Sequence, residues 1–353
     1  MIAAGLEWLA AAETLAANLA MMPERSDRRW FRIGDGFLAV RSNNPAFLDR
    51  FGTLFGACAV EGPESGFPVV DGRVMADARL GGALVIADGA PAAGTAGLAE
   101  ALFADDGVGS VGTAGDWVGL ASRSNPVWRM AVRGAELVMP HDGPWPYVTG
   151  ATLIHWAMCA QAGVLFVHAA AVELGGSGLL LVGPTGTGKT TLAVGLARRG
   201  AGFLSDEVGA IRFDGPGLLP VPRAAGMRPG PCAQEAAPML DGSGFPVEIF
   251  ADGSSKTLVP ADALGATQLG TAIPFAHVIV LDDRGTTPRL ARVDAAPRNA
   301  QYLAPVKSTP FSEGSGFKVL RLIKLVSDVS WHRLRAGAPD ETIALIEREF
   351  GRR

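Results

Sequence analysis

The chain is short of charge and of cysteine. Charged side chains make up 19% of its 353 residues, and 31 basic against 35 acidic residues leave a formal net charge of −4. So even a balance supplies no general attraction for nucleic acid, and any affinity for an acidic partner must be local. The three cysteines, Cys58, Cys159 and Cys232, are far apart and odd in number. That argues against a disulfide framework or a zinc site and fits a reducing cytoplasm. No export signal is expected either: the apolar stretch from Met1 to Met22 carries Glu7 and Glu13 and no Lys or Arg before Arg25. Leu6, Leu9, Leu15 and Leu19 recur there at roughly helical spacing, which predicts an amphipathic helix docked on the protein. The apolar run from Val164 to Val182 is interrupted by His168, Glu173 and Gly175-Gly176-Ser177-Gly178, so no membrane span is expected.

What the chain does have is apolar residues, 48% of the total, enough for a substantial core and for two domains. Up to about Tyr147 the apolar pieces are short and punctuated by Gly and Pro: Arg32 to Arg41, Gly81 to Ile86, Trp117 to Leu120, Trp128 to Val132 and Glu136 to Met139. This spacing predicts an α+β, β-rich module, with short helices at Pro45 to Gly56 and near Thr95 to Phe103. His141-Asp142-Gly143-Pro144-Trp145-Pro146 reads as a loop and sets the expected boundary between residues 1–145 and 146–353. The second part reads as an α/β domain. Its expected elements are a helix at Tyr147 to Ala162, a strand at Val164 to Leu174, a strand at Leu179 to Val182 and a helix at Thr190 to Arg199. They continue with a strand through Phe203 and Leu204, a buried strand at Ala276 to Leu281, a helix at Phe317 to Val326, a strand at Trp331 to Leu334 and a helix at Asp340 to Phe350. Gly215 to Gly253 is Pro/Gly-rich and reads as a long loop region.

Gly183-Pro184-Thr185-Gly186-Thr187-Gly188-Lys189-Thr190 satisfies G-x-x-x-x-G-K-[ST] at every fixed position, with a strand before it and a helix after it. Glycines there let backbone N–H groups turn inward around phosphates, and the helix adds its positive end. Lys189 is expected to reach the β/γ-phosphates and the Thr190 hydroxyl to ligate Mg²⁺, with Thr191 opening the helix beside them. Asp206-Glu207 follows the next predicted strand. A carboxylate placed there can hold Mg²⁺ or accept a proton from an attacking hydroxyl. The short turn Gly175 to Gly178 makes its flanking strands a hairpin. With Gly176 and Ser177 as the central residues, counting outward puts His168 opposite Thr185, at the edge of the phosphate site.

The stretch from His168 to Ile211, HAAAVELGGSGLLLVGPTGTGKTTLAVGLARRGAGFLSDEVGAI, resembles the catalytic core of the HPr kinase/phosphorylase superfamily. The spacing from histidine to loop, the Lys189-Thr190 pair and the spacing from loop to acids all match. The resemblance implies a phosphate-loop kinase core of that type, binding ATP and Mg²⁺. In it Asp206 is the base that activates a serine hydroxyl, His168 supports it, and Glu207 stands near the metal. The layout is more similar to the HPr-kinase-related proteins of biosynthetic clusters, which include kinases of lasso-peptide precursors. The implied acceptor is therefore a peptide or small protein, with residues 1–145 able to hold it. Glu207 stands where a second Asp is more usual, and the family's Glu/Arg-rich phosphorylase segment has no counterpart, so efficient phosphorolysis is not expected.

Arg223 and Arg228 in the Pro/Gly-rich segment, and Lys256 before Pro260, are candidate cations for a γ-phosphate or an acidic substrate. Lys307, Lys318, Arg321 and Lys324 read as a solvated helix face. Two further readings stay open: a regulatory nucleotide-binding ATPase or switch, and a kinase of a small hydroxylated metabolite. Asp206-Glu207-Val208-Gly209 imitates the D-x-x-G of GTPases, but no N-K-x-D and no LSGGQ-like segment occurs. A homo-oligomer is compatible with everything above.

Overall fold

The computed structural model describes residues 2–23, 28–91, 108–122, 129–141, 145–215, 217–229, 244–249, 255–295, 297–303 and 315–351. The architecture is mixed α/β, with six α-helices among the described residues. Contacts cluster these into two units. One holds the described parts of 2–52 and 59–162, the other those of 53–58, 163–303 and 316–351.

The first unit contains α1 (Ile2–Ala20), β1 (Arg29–Ile33), β2 (Gly36–Ser42), most of α2 (Pro45–Phe55), β3 (Ala59–Val60), β4 (Val69–Asp77), β5 (Gly82–Asp88), β6 (Val108–Ala114), β7 (Trp117–Ser122), β8 (Arg129–Arg133), β9 (Glu136–Pro140) and α3 (Trp145–Cys159). Nine strands form one sheet, in the order β3-β1-β2-β4-β5-β9-β8-β7-β6. Its β2–β4 pair is parallel, which requires a crossover, and α2 supplies it. On α1, alanines share the buried stripe with leucines: Leu9, Ala12, Ala16 and Leu19 pack with Met75, Leu84, Trp117 and Val138 of the sheet. The expected helix near Thr95 to Phe103 lies outside the described residues.

The unit break falls after Ala162, beyond α3, and not in the loop before it. The reason is burial. Helix α3 is apolar on nearly every side, with Trp145, Val148, Leu153, Ile154, Trp156 and Met158 all buried, and it packs on β2, β4 and β5. A loop-like run of Gly and Pro marks a bend in the chain, whereas a unit boundary depends on where the next apolar surface finds cover.

The second unit contains β10 (Val164–His168), β11 (Ala170–Leu174), β12 (Ser177–Val182), α4 (Lys189–Arg198), β13 (Gly202–Ser205), β14 (Val208–Arg212), β15 (Gly217–Leu219), β16 (Ala225–Met227), β17 (Val247–Ile249), β18 (Ser255–Val259), β19 (Ile273–Arg284), β20 (Arg289–Val293), α5 (Ser315–Asp328), β21 (Ser330–Ala336) and α6 (Pro339–Phe350). Its main sheet runs β10-β14-β15-β19-β12-β11-β13, with β21 beside β19 and β20 beside β21. Strands β16, β18 and β17 form a small separate sheet. Both faces of β12 are covered, as period-two alternation requires. Leu179 and Leu181 meet Leu192 and Leu196 of α4 and Ile343 and Ile346 of α6. Leu180 and Val182 meet Leu322 and Leu325 of α5 on the other side.

Three features differ from the sequence reading. The apolar run from Val164 to Leu174 is two strands, because Ala169 leaves the ladder and donates its N–H to the Glu207 carbonyl at 3.3 Å. The described parts of Gly215 to Gly253 include β15, β16 and β17. On α5, Lys318 is only 1% exposed. It shares the stripe of Leu322 and Leu325, at i+4 and i+7, while Lys324 stays outside. Lys307 lies outside the described residues.

Candidate active site

Strand direction gathers the candidate residues at one sheet edge. Strand β12 is parallel to β19, and β11 is antiparallel to both β12 and β13. The ends of β12, β13 and β19 and the start of β11 therefore meet at the same edge. The loop Gly183–Gly188 leaves β12 there, Asp206-Glu207 leaves β13, His168-Ala169 enters β11, and Asp282-Asp283-Arg284 closes β19. The hairpin's central residues are Gly175 and Gly176, since Leu174 pairs with Ser177. His168 belongs to β10 and lies opposite Val208 of β14, not opposite Thr185. It reaches the edge by a different ladder.

At Gly183, φ is +145° and a Cβ would collide with the Leu281 carbonyl oxygen of β19, so only glycine lets the loop pass this close to its neighbour. Thr187 tightens the loop, its Oγ1 donating to the Pro184 carbonyl at 2.9 Å. Gly188 is the N-cap of α4, and no side chain caps that helix, which leaves first-turn N–H groups for an anion. Lys189 is 7% exposed. Its Nζ donates to the carbonyls of Gly183 at 2.8 Å and Pro184 at 3.1 Å. Burial lowers its pKa and the Glu207 carboxylate partly restores it. Among the described residues this buried ammonium is hydrogen-bonded to loop carbonyls, beside a helix start with no side-chain cap. Half-buried Thr190 and buried Thr191 follow it on α4.

Asp206 is 5% exposed. Its Oδ2 accepts the Gly226 N–H at 3.0 Å, while Oδ1 has no hydrogen bond among the described residues and lies 4.0 Å from Arg223 Nε. Burial raises its pKa. Arg223 opposes that rise and the neighbouring Glu207 adds to it. Arg223 Nη1 also donates to Glu207 Oε2, so the arginine spans both acids. Ser205 Oγ shapes the turn by accepting the N–H of Val208 at 3.1 Å. Lys256, on β18, lays its stem along Gly226, and its charge acts on both Asp206 and His168. His168 is open to solvent on one side. Burial of the rest, then Lys189, lowers its pKa, while Glu207 works the other way through its charge and its backbone. Arg228 is exposed just past β16 and is not among the cations acting on Asp206.

The acids closing β19 are already engaged: Asp282 pairs with Arg333 at 2.7 Å and Asp283 with Arg335 at 3.3 Å. Asp206 and Glu207 instead share Arg223 of the β15–β16 link. Among the described residues no group of three or more His, Cys, Asp or Glu could hold a metal by itself.

Sequence reasoning missed four contributors. Arg284 places Nη2 3.3 Å from where a Gly188 Cβ would be; it lies just beyond the strand end predicted at Leu281. The Gly226 N–H has no side-chain signal. Leu54 and Phe55, which touch the Arg223 segment, are too distant in sequence to be found by spacing.

No family model matches the chain, and no curated protein matches it. Among solved structures, an HPr(Ser) kinase/phosphatase from Coxiella burnetii aligns over 52% of this chain and 86% of its own, at 11% identity and a TM-score of 0.28. A likeness that distant carries no functional argument, so the chemistry rests on the residues of this chain. None of the described helices is long and apolar enough to cross a membrane.

Proposed function

We propose that this protein is a Mg·ATP-dependent phosphotransferase whose acceptor is a serine hydroxyl on a peptide or small protein. The observation that supports it most is a buried aspartate, with Oδ1 lacking a hydrogen bond among the described residues, at the sheet edge that also carries the phosphate loop. Residues 183–191 bind and orient the phosphates, with Lys189 turning from loop carbonyls to phosphate oxygens. Thr190 and Glu207 would hold Mg²⁺, which supplies charge neutralisation on the transferred group. Asp206 accepts the hydroxyl proton at Oδ1. Its raised pKa makes it a better base than an exposed carboxylate. His168 and Lys256 adjust the charge around it, and Arg223 keeps the two acids from repelling each other.

The serine, and a peptide of the lasso-precursor kind, come from the sequence resemblance alone. In this reading the first unit holds the peptide away from its reacting end. The test is incubation with γ-labelled ATP and Mg²⁺ together with candidate peptides, small proteins and free serine, followed by mass spectrometry. Lys189→Ala is expected to weaken ATP binding at least about tenfold, the loss of one charge-assisted contact. Asp206→Asn is expected to bind ATP normally and transfer nothing. Label appearing only as inorganic phosphate would replace this reading with a regulatory ATPase, and label only on a small metabolite would replace the peptide.

A further inference from the structure

The acids are held through a link tied down at both ends. Between β15 and β16 the chain runs through Pro220, Val221, Pro222, Arg223 and Ala224. Its first half is tied to β13, Val221 donating its N–H to the Leu204 carbonyl at 3.0 Å, two residues before Asp206. Arg223 N–H then closes a tight turn on the Val221 carbonyl at 2.9 Å. The second half is tied elsewhere. The Ala224 N–H donates to the carbonyl of Leu54, at the end of α2, at 2.7 Å. The ring of Phe55 lies beside the Arg223 guanidinium, with Cζ 5.9 Å from its centroid. Phe55 is buried, as is Cys58 just after it, and the Arg223 charge reaches the Cys58 thiol. Residues 53–58 cluster with the second unit although the rest of α2 belongs to the first.

We propose that Phe55 and the Leu54 carbonyl are positioning residues for the Asp206–Glu207 pair: they seat the Pro220–Ala224 link so that Arg223 lies across both carboxylates. The same seating carries Gly226, two residues beyond Ala224, to Asp206 Oδ2. The aromatic ring matters beyond its volume, because its face attracts a guanidinium and limits the rotamers of a long side chain. An aliphatic replacement fills the space and leaves the cation less constrained. The catalytic consequence rests on the phosphotransferase reading; the geometric claim does not.

A double-mutant cycle on the full chain tests it, using Phe55→Leu, Arg223→Lys and their combination, with Phe55→Tyr as the conservative control. Two quantities are read: kcat and KM for transfer, and Mn²⁺ affinity in the presence of ATP by electron paramagnetic resonance. Each single change is expected to lower kcat about tenfold and to leave KM for ATP within about twofold, with the double variant no worse than Arg223→Lys. Mn²⁺ affinity is expected to change at least about threefold in each single variant, with the same non-additivity. Phe55→Tyr is expected to restore both. Strictly additive losses, an unaffected Phe55→Leu, or a Phe55→Tyr as poor as Phe55→Leu would overturn the proposal. If the unaltered protein transfers no phosphate to any acceptor, the kinase reading falls and the Mn²⁺ cycle alone decides the positioning role. Should Phe55→Leu not fold, Phe55→Met takes its place.

Discussion

Asp206 shows most clearly what a single residue contributes here. Its carboxyl is nearly buried, and burial raises its pKa above the ordinary carboxylate value. The folded state therefore binds this proton more tightly than the unfolded chain does. Stability from this group is greatest where both states are protonated and falls as pH rises above the ordinary carboxylate range. A neutral amide of the same shape escapes that penalty and keeps an oxygen for the Gly226 N–H. Asp206→Asn is thus expected to melt higher than the unaltered protein near about pH 8, with the difference shrinking toward about pH 4. Calorimetry across that range checks it, and an Asp206→Asn variant less stable at every pH would contradict the burial argument. A buried carboxylate that burial destabilises, kept at the sheet edge beside the Gly183–Gly188 loop, is the pattern expected where function is set against stability. Lys189 follows the same pattern, buried and, among the described residues, hydrogen-bonded to loop carbonyls. The loop residues were legible because their spacing encodes a local backbone shape. The grip of Arg223 on both acids was not, since it depends on where a Pro-rich link is tied down.

At the scale of elements, the β11–β12 hairpin aligns the edge. Its tight turn was readable from Gly175 to Gly178, but its register was not, because either Gly-Gly or Gly-Ser could be central. The structure puts Gly175 at φ +60° and Gly176 at φ +77°, the left-handed pair that a two-residue hairpin turn demands. These two glycines are not equivalent. A Cβ on Gly175 would lie 2.7 Å from the Phe350 carbonyl oxygen at the end of α6, while a Cβ on Gly176 meets nothing within 4 Å. Gly176→Ala is expected to lower stability by about 1 kcal/mol, the left-handed penalty alone. Gly175→Ala is expected to lose roughly 2 kcal/mol or more, because the α6 end must also move. Urea denaturation of both variants checks the order, and equal losses would mean the α6 contact is unimportant. Helix α5 teaches the same lesson from the other side: its charges suggested a solvated face, yet Lys318 lies on the stripe that meets the core.

At the scale of the molecule, the two units do not coincide with the two halves of the sequence. Cutting before Trp145 would remove β2, β4 and β5, the surface on which α3 packs. A fragment of residues 145–353 is expected to aggregate, and one of residues 163–353 to stay more soluble, by size-exclusion chromatography at equal concentration. On the proposed kinase reading, the shorter fragment still lacks residues 53–58 and is expected to bind ATP through its loop while transferring poorly. Equal solubility of the two fragments would show that α3 does not need the first sheet.

By itself the sequence determined the Gly183–Gly188 loop between a strand and a helix, the acid pair after the next strand and the β-rich character of the first part. Each is set by neighbours a few residues apart, where backbone dihedrals, glycine placement and apolar period leave little choice. Only the tertiary structure decided that His168 arrives on β10, that the acids closing β19 are taken by arginines of β21, and that Arg223 bridges Asp206 and Glu207. It also decided that α3 belongs with the first sheet and residues 53–58 with the second. These are contacts between segments far apart along the chain, selected by which apolar faces and which unpaired charges can be satisfied together, and no local pattern records that choice.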